Sequence, residues 1–287
     1  MKSDVTFRGG SAADAKACGE ICFNAFCAFA SKHNFPPDFP SPDASVGLMG
    51  MIFSMPNVYS VIAESNGRIV ASNFLWEGDT IAGVGPITVD PSVQNGAVGR
   101  RLMERVLERA AEKRLAGVRL VQAGYHNRSL SLYSKLGFDV REPLVTLQGK
   151  PIQKSITGFP VRTATHADIQ GCNALCLRVH GHNRNAELSA AIERNIARVV
   201  EREGRIAGYC TGIGFFSHAV CESNDDLKAL IAAAPEFAGP GFLLPMCYGD
   251  VFRWCLKNGL QVVQPMNLMS LGLYNEPKGA FLPSVLY

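Results

Sequence analysis

The sequence predicts an α+β (mixed α/β) fold in which one domain occurs twice along the chain. Segments with strand-like and helix-like patterns alternate throughout, and local patterns of the first half return in the second half in the same order. The 287 residues suffice for two domains of about 140 residues, since domains commonly hold ~100–150 residues. Hydrophobic residues make up 47% of the chain and charged residues 18%, which supplies a core and argues against disorder.

The first repeated pattern is a short strand, a polar turn and a helix. Arg8–Cys22 reads RGGSAADAKACGEIC and Arg162–Cys176 reads RTATHADIQGCNALC, so that Arg, Ala, Asp and two Cys coincide at a separation of 154 residues. Apolar residues at i, i+3 and i+4 in both copies predict a helix with one buried face. The two cysteines of each copy have helical spacing and are expected in the core.

Two further matches keep this order. Glu64–Ala71 matches Glu201–Gly208, and each reads as a β-hairpin whose turn holds Asn-Gly or Glu-Gly. Leu132–Val140 matches Trp254–Val262 at a shorter separation. The second copy is therefore expected to be a shortened version of the first.

The boundary between the copies is expected near residues 149–158. Gly149, Pro151, Gly158 and Pro160 lie in or directly after this stretch, a composition typical of linkers. The sequence thus predicts one domain at residues 1–150 and another at residues 159–287. The apolar C-terminal residues after Gly279 are expected to dock, for example as a last strand of a sheet.

Composition excludes several classes of partner. The net charge is only +3 and Lys and Arg form no long basic run, so nucleic acid is not expected as a partner. No apolar run reaches the ~18 residues of a membrane span, and the N-terminus lacks a signal-peptide core, so we expect a cytoplasmic protein without membrane attachment. Nine scattered cysteines without zinc spacing predict no metal site. The oligomeric state is left open.

One loop in the first half has the composition of an anion site. Ile81–Val89 reads as a strand that Asp90–Pro91 ends, and small residues then lead into a helix predicted at Val98–Arg114. The first N–H groups of a helix and its dipole favour an anion at this end, and small residues let phosphate oxygens approach the backbone. Two arginines in the first turn are repelled by the positive end of the helix dipole, and a bound anion would offset this repulsion. The alternative is an ordinary strand–loop–helix connection.

Two motifs resemble the GNAT acetyltransferase superfamily. Val89–Met103 reads VDPSVQNGAVGRRLM and is similar to the acetyl-CoA motif of that family, in which a strand ending in V-x-P precedes Q/R-x-x-G-x-G/A and a helix. Ala97 takes the first glycine position. Asn127–Phe138 reads NRSLSLYSKLGF and resembles a second family element that has one more residue between its Asn and Leu-Tyr. The resemblance covers residues 5–148 well and the second half in outline.

The resemblance implies a fold and a co-substrate. Each domain is then expected to hold a central, mostly antiparallel, splayed sheet flanked by helices, and acetyl-CoA would bind with its pantetheine arm along the splayed strand. The residues implied in acetyl-CoA binding are Ile87, Thr88, Val89, Gln94, Asn95, Gly96, Ala97, Val98, Gly99, Arg100 and Asn127.

Three side chains are candidates for the chemistry. Tyr133 lies at the general-acid position of the family, and a phenol with pKa near ~10 keeps its proton until a thiolate leaves; the alternative is a helix residue packed on the sheet. Glu77, in a turn before the cofactor strand, and His126, after the strand Val118–Ala123, are candidate bases. Either could instead have no catalytic role, because an amine needs little help to lose a proton.

The second copy lacks these features. Its counterpart of the loop, Cys221–Asp226, contains no glycine and three carboxylates, which suit a helix cap but would repel a diphosphate. Cys255 stands at the tyrosine position. The second copy is therefore expected to be a degenerate GNAT-like domain that supports the first.

The sequence predicts an N-acetyltransferase that moves an acetyl group from acetyl-CoA to a small-molecule or peptide amine by direct attack. The aromatic and acidic segment Ala25–Val46 is expected to help select the acceptor, whose identity the sequence leaves open. The alternatives are a non-catalytic acyl-CoA sensor and an interaction protein that docks through its second half.

Overall fold

The computed structural model describes residues 5–78, 80–93 and 97–286. The chain divides into two compact units, Met1–Leu120 (unit 1) and Val121–Tyr287 (unit 2). This division lies upstream of the linker near residues 149–158, so compact units and sequence repeats do not share a boundary. The extent of the repeats, 1–150 and 159–287, stays a prediction.

Unit 1 contains a mixed sheet with helices. Its elements are β1 (Val5–Gly9), α1 (Ala15–Lys32), α2 (Pro42–Ser54), β2 (Val58–Ser65), β3 (Arg68–Trp76), β4 (Ile81–Val84), β5 (Thr88–Val89), α3 (Val98–Glu112) and the start of β6 (Gly117–Ala123). Strands β1, β2 and β3 pair antiparallel in chain order, and β3 also pairs antiparallel with both β4 and β5. Strand β4 runs parallel to β6, and their ladder covers Ile81–Gly83 opposite Gly117–Arg119.

The predicted strand Ile81–Val89 is interrupted in the structure. A cis peptide bond joins Gly85 and Pro86 between β4 and β5. The Trp76 indole N–H donates to the Gly85 carbonyl over 2.7 Å, which holds the interruption against β3. Strand β5 pairs with β3 off the main strand order, and the ladder between β4 and β6 ends at Gly83, before β5 begins.

The core of unit 1 lies between α1, α2 and the sheet. Its fully buried side chains are Cys18, Cys22, Met49, Ile52, Ile62 and Phe74. Close approach is built into the helix pair, because a Cβ on Gly19 would come within 2.5 Å of the Val46 Cα. Helix α3 buries Leu102, Met103 and Val106, each with no exposed surface. The expected core role of the helical cysteines is confirmed here and for Cys172 and Cys176 in unit 2.

Unit 2 contains the second half of the chain together with α4 and β7 from the first. Its elements after β6 are α4 (Asn127–Lys135), β7 (Asp139–Gln148), β8 (Val161–Thr163), α5 (Ile169–His180), α6 (Asn185–Glu193), β9 (Arg198–Arg202), β10 (Arg205–Cys210), β11 (Ala219–Cys221), α7 (Asn224–Ala233), β12 (Phe242–Pro245), α8 (Gly249–Lys257), β13 (Gln261–Gly272) and β14 (Ala280–Leu282). The predicted docking of the C-terminal residues is confirmed, since β14 pairs antiparallel with β11.

Strand β7 connects the two halves of the sequence. It lies between β12 and β13 and pairs antiparallel with both, from Phe242 opposite Leu147 on one side and from Gln261 opposite Gln148 on the other. The first repeat thus places its last strand between two strands of the second. The remaining strands of unit 2 form a separate sheet in the order β14-β11-β10-β9-β8.

The predicted hairpins are both present and have the same geometry. The turn between β2 and β3 has φ 51° at Asn66 and 72° at Gly67, and the turn between β9 and β10 has φ 53° at Glu203 and 72° at Gly204. Two consecutive left-handed residues are typical of the type I′ turn that favours tight hairpins. Both hairpins also carry a register shift a few residues after the turn.

The repeated arginine and aspartate form the same ionic cluster in both halves. In the first, the Arg8 guanidinium donates to both Asp14 oxygens (2.8 and 2.9 Å) and to Glu64 (2.8 Å), and we call these three residues the first arginine clamp. Asp14 also accepts from the backbone N–H of Ser11, which it caps. The clamp therefore ties β1, the start of α1 and β2 together.

The second arginine clamp consists of Arg162, Asp168 and Glu201. Arg162 donates to both Asp168 oxygens (2.7 and 2.8 Å) and to Glu201 (2.8 Å), and Asp168 accepts from the N–H of Thr165. Every member occupies the position matched in the sequence comparison. The coincidences at separations of 154 and 137 residues therefore correspond to one conserved arrangement of side chains within this chain.

Candidate functional site

The candidate phosphate loop leads into α3. Ala97 precedes the helix with φ 59° and ψ 9°, in the left-handed region. The first-glycine position of the motif therefore does require a positive φ, which alanine adopts at a cost of roughly 1 kcal/mol relative to glycine. Gln94, Asn95 and Gly96 lie outside the described residues.

The first turn of α3 begins with N–H groups that its helical hydrogen bonds do not use. Its first intrahelical hydrogen bond runs from the Arg101 N–H to the Ala97 carbonyl, so the N–H groups of Val98, Gly99 and Arg100 come before the helical ladder. Ala97 has no side-chain oxygen with which to cap them. The Arg100 guanidinium donates to Glu104 over 2.8 Å and is 60% exposed, and such a surface pair is weak enough to be exchanged for a ligand.

The strand before the loop is held from its buried side. The Thr88 hydroxyl lies 3.2 Å from that of Ser72 on β3 and is inaccessible to solvent, while Ile87 and Val89 are half-buried. Since side chains alternate along a strand, Ile87 and Val89 face away from the Thr88 contact. The Thr88 hydroxyl thus has a partner within the sheet, and the side chains of Ile87 and Val89 lie on the opposite face of the segment.

Asp90 organises the turn that follows, which sequence reasoning did not anticipate. Its N–H donates to the Val70 carbonyl (2.8 Å), and its carboxylate accepts from the N–H and hydroxyl of Ser92 (2.9 and 2.7 Å). The bond from Ser92 holds the pKa of Asp90 below its usual value. The Asp-x-Ser spacing is the signal that could have revealed it, since aspartate commonly bonds the backbone two residues on.

Glu77 is engaged in ion pairs. Its carboxylate accepts from Arg109 Nε over 2.6 Å and lies 3.4 Å from Lys113 Nζ, both near the end of α3. The Arg109 guanidinium also lies 5.3 Å from the centre of the Tyr59 ring. Both carboxylate oxygens of Glu77 are thus paired with cations, and these contacts favour the non-catalytic alternative for Glu77.

The remaining candidates lie on α4 in unit 2. His126 precedes the helix, and its Nδ1 accepts from the Ser129 N–H over 2.9 Å, in the manner of a helix cap. Asn127 is the first residue of the helix. Tyr133 is 7% exposed, its ring lies 6.2 Å from that of Phe138, and burial raises the pKa of its phenol. The structure thus brings His126, Asn127 and Tyr133 to one short helix.

Comparison with known proteins shows which family the region around the two motifs resembles. Residues 27–138 match the model of the acetyltransferase (GNAT) family. The region that carries both motifs therefore resembles a GNAT domain. The recognition made from the two motifs is thereby confirmed.

One curated relative and several solved structures extend the comparison. An "IAA acetyltransferase" of Azospirillum brasilense is 31% identical over 91 residues, which are 31% of this chain and 59% of that protein. A candidate acetyltransferase of Pyrococcus horikoshii superimposes over 96% of this chain and 94% of its own, with a TM-score of 0.73 and 17% identity.

Two more solved structures resemble the chain over nearly its whole length. A GCN5-related N-acetyltransferase of Sphaerobacter thermophilus covers 95% of this chain and 96% of its own, with a TM-score of 0.65 and 14% identity. A tandem GNAT protein from the clavulanic acid biosynthesis pathway covers 94% and 98%, with a TM-score of 0.55 and 14% identity. At these identities the likeness shows the fold, and the predicted mixed α/β fold of GNAT type is confirmed.

The counterpart of the GNAT phosphate loop in the second half is closed by its own side chains. Ser223 and Asp226 form a reciprocal capping box at the start of α7, and Asp226 is fully buried. Arg202 donates to both Asp226 oxygens, over 2.8 and 3.1 Å. The Asp226 carboxylate is therefore paired with arginine and also takes part in the helix cap, in contrast to Ala97 at the start of α3.

The other negative expectations concern metals and membranes. Within residues 5–78, 80–93 and 97–286, no three or more His, Cys, Asp or Glu side chains are grouped to hold a metal ion. Among the helices of the same residues, none has both the length and the apolar character that crossing a membrane requires.

Proposed function

We propose that this chain is an acyl-CoA-dependent N-acetyltransferase that transfers an acetyl group from acetyl-CoA to an amine. The observation that carries the proposal is the contrast between the two equivalent helices. Helix α3 of the GNAT domain starts from an alanine with no capping group, whereas α7 is capped by Ser223 and Asp226. A helix N-terminus whose N-cap residue offers no side-chain acceptor suits the pyrophosphate of coenzyme A.

The residues proposed to hold the cofactor follow the family motif. The backbone of Ile87, Thr88 and Val89 would contact the pantetheine arm, and Asn127 would reach the same region. The pyrophosphate would be held by Gln94, Asn95, Gly96, Ala97, Val98, Gly99 and Arg100.

The proposed reaction is a direct attack. The neutral amine attacks the thioester carbonyl carbon, the C–S bond breaks, and the Tyr133 phenol gives its proton to the departing thiolate. The amine proton passes to solvent, from which Tyr133 is reprotonated, so one amide and one coenzyme A thiol result. Burial raises the pKa of Tyr133, so it stays protonated at neutral pH. A thiolate released in an equally dry site would be a stronger base than in water, which keeps the transfer feasible.

A dedicated base is not part of the proposal. Nδ1 of His126 accepts a backbone N–H, so the neutral ring carries its proton on Nε2 and offers no second acceptor without losing the cap. Glu77 is held by Arg109 and Lys113. Acceptors whose amine is neutral at the working pH would then react fastest, and we propose a small molecule or a peptide as the amine acceptor.

Tyr133→Phe tests the proposal. The protein is incubated with acetyl-CoA and a panel of amines, and release of coenzyme A thiol is followed. We expect kcat to fall about 10²- to 10⁴-fold in the variant, the range for loss of a general acid, with unchanged affinity for acetyl-CoA by calorimetry. Tyr248→Phe is the matched control, because this tyrosine is also in unit 2 and its hydroxyl donates to the Gly279 carbonyl. Acetyl-CoA binding without turnover of any amine would instead favour the sensor.

A further inference from the structure

The segment between β6 and α4 is attached to a strand from the other end of the sequence. Gly124 donates its N–H to the Pro265 carbonyl of β13 over 2.9 Å. The Tyr125 hydroxyl donates to Gln264 Oε1 over 3.0 Å, and Asn267 Nδ2 donates to Gln122 Oε1 over 2.8 Å. Three contacts therefore bind Gln122 at the end of β6, Gly124 and Tyr125 to one stretch of β13.

The backbones at Gly124 and Pro265 lie too close together for a larger residue at position 124. A Cβ added to Gly124 would lie 3.2 Å from the Pro265 carbonyl oxygen and 3.3 Å from its carbonyl carbon, so only glycine fits without movement of the backbone. Gln122 and Gln264 are 2% and 3% exposed, which removes water as a substitute partner. The backbone of β13 is itself fixed by its ladder with β7, where Asn267 lies opposite Pro143.

Gln122 links β13 to α4 through the hydrogen bonds of its carboxamide. The same carboxamide that accepts from Asn267 directs its Nε2 to the His126 carbonyl (2.9 Å) and the Ser129 hydroxyl (3.0 Å). His126 is the N-cap residue of the helix, and Ser129 donates the N–H that its side chain accepts. A continuous set of hydrogen bonds therefore runs from Asn267 through Gln122 to the first turn of α4, which carries Asn127 and, further along, Tyr133.

We propose that Asn267, together with Gln264, is a positioning residue for the acetyl transfer. The second half of the chain would contribute to catalysis through β13, which sets the placement of the helix that carries Tyr133. The inference rests on the proposed function for its catalytic consequence, while the attachment itself can be measured without turnover. Asn267 acts only through Gln122 and is not expected to touch either substrate.

Asn267→Asp is the sharpest test, because it keeps the shape of the side chain and replaces the donor by an acceptor. The Gln122 amide must then either face another oxygen or turn over, and turning it over loses both bonds to α4. The matched control is Asn173→Asp, which removes the donor from a similar side-chain bond to Asn185 (2.9 Å) elsewhere in unit 2. Tyr125→Phe is a milder second variant that removes only the hydroxyl bond to Gln264.

Two measurements are made on full-length protein. In hydrogen–deuterium exchange, peptides covering residues 124–135 are expected to exchange at least about tenfold faster in Asn267→Asp, in line with loss of a buried hydrogen bond, and not in Asn173→Asp. In the thiol-release assay, we expect kcat to fall about 10- to 100-fold with little change in KM for acetyl-CoA, since a small misplacement of a reacting group has effects of this order.

The outcomes separate the two proposals. If Asn267 acts through Tyr133, Asn267→Asp should cost markedly less in a Tyr133→Phe background than in the natural chain, because the two changes affect the same step. Equal losses in both backgrounds would overturn the positioning role. Unchanged exchange of residues 124–135 in both Asn267→Asp and Tyr125→Phe would overturn the attachment. A natural chain that releases no thiol with any amine would overturn the proposed function, and the exchange result would still decide the attachment.

Discussion

His126 starts a helix with an imidazole ring, where serine, threonine, aspartate or asparagine is usual. Its Nδ1 accepts from the Ser129 N–H, and its carbonyl accepts from Gln122. Nδ1 and the carbonyl of His126 therefore both take part in hydrogen bonds around the start of α4. The sequence suggested a base at this position because a histidine follows a strand near the expected thioester, but that pattern carries no information on which ring nitrogen is used.

Two substitutions distinguish a cap from a base. Asparagine is among the best helix caps and cannot serve as a base, so His126→Asn should keep both the stability and the rate of thiol release within about twofold. His126→Ala should lower the free energy of unfolding by about 1 kcal/mol through loss of the cap. Denaturant titration and the pH profile of kcat/KM check this. Loss of an acidic limb near the histidine pKa of ~6.5 in His126→Asn would show that the ring is the base after all.

At the scale of elements, each of the two arginine clamps contributes stability that depends on pH in the same way. The bond from Arg8 lowers the pKa of Asp14 from 3.8 to about 2, and the bond from Arg162 lowers that of Asp168 by the same amount. A carboxyl group whose pKa is lower in the folded state stabilises the fold at pH above its unfolded value. This contribution is lost as the pH falls through about 4 to 2.

Removing a clamp should therefore make the free energy of unfolding depend less on pH in the acid range. We expect Asp14→Asn and Asp168→Asn each to lower the free energy of unfolding at pH 6 by about 1–2 kcal/mol, allowing for the partial exposure of the arginines. At pH 2 each should differ little from the natural chain. Chemical denaturation at both pH values measures this, with Asp225→Asn as the control, since that exposed aspartate pairs with Lys228 across the helix surface. Equal losses at pH 6 and pH 2 would mean that the carboxyl charge is not responsible.

The sequence predicted elements well where the pattern is local. The hairpin turns, helix α3 and the helical cysteines follow from spacing and turn chemistry alone. It also marked Arg8, Asp14 and Glu64 by their recurrence, although it could not show that they touch, because Glu64 lies 56 residues from Arg8. The break at Gly85–Pro86 was missed, since a run of apolar residues reads as one strand whether or not a peptide bond within it is cis.

The candidate site could be predicted only as far as the motif reaches. The motif indicated Ala97 and Tyr133, but the left-handed backbone of the former and the burial of the latter depend on tertiary packing. The bond between Gln122 and Asn267 spans 145 residues and belongs to no motif, so nothing in the local sequence points to it. Long-range contacts between polar side chains have no periodic signature, which is why the contribution of β13 emerges only from the fold.

At the scale of the whole molecule, β7 makes the two halves interdependent. Both of its partners, β12 and β13, come from the second repeat. We expect a truncated chain of residues 1–158 to be insoluble or partly unfolded, because both edges of β7 would lose their partners and bare edges promote aggregation. Circular dichroism and size-exclusion chromatography of the truncated chain check this, with the full-length chain prepared in parallel. A monodisperse, folded fragment that binds coenzyme A would contradict it and support an independent first domain.

The position of β7 also bears on synthesis of the protein. Its residues leave the ribosome about 95 residues before Phe242, the partner of Leu147. At ~5–20 residues per second, the nascent chain would carry an unsatisfied strand for roughly 5–20 s, a period in which hydrophobic segments are exposed to other chains. We infer that the slow step of folding is the late closure of this strand pair rather than formation of the local hairpins, and that chaperones would matter most during this interval.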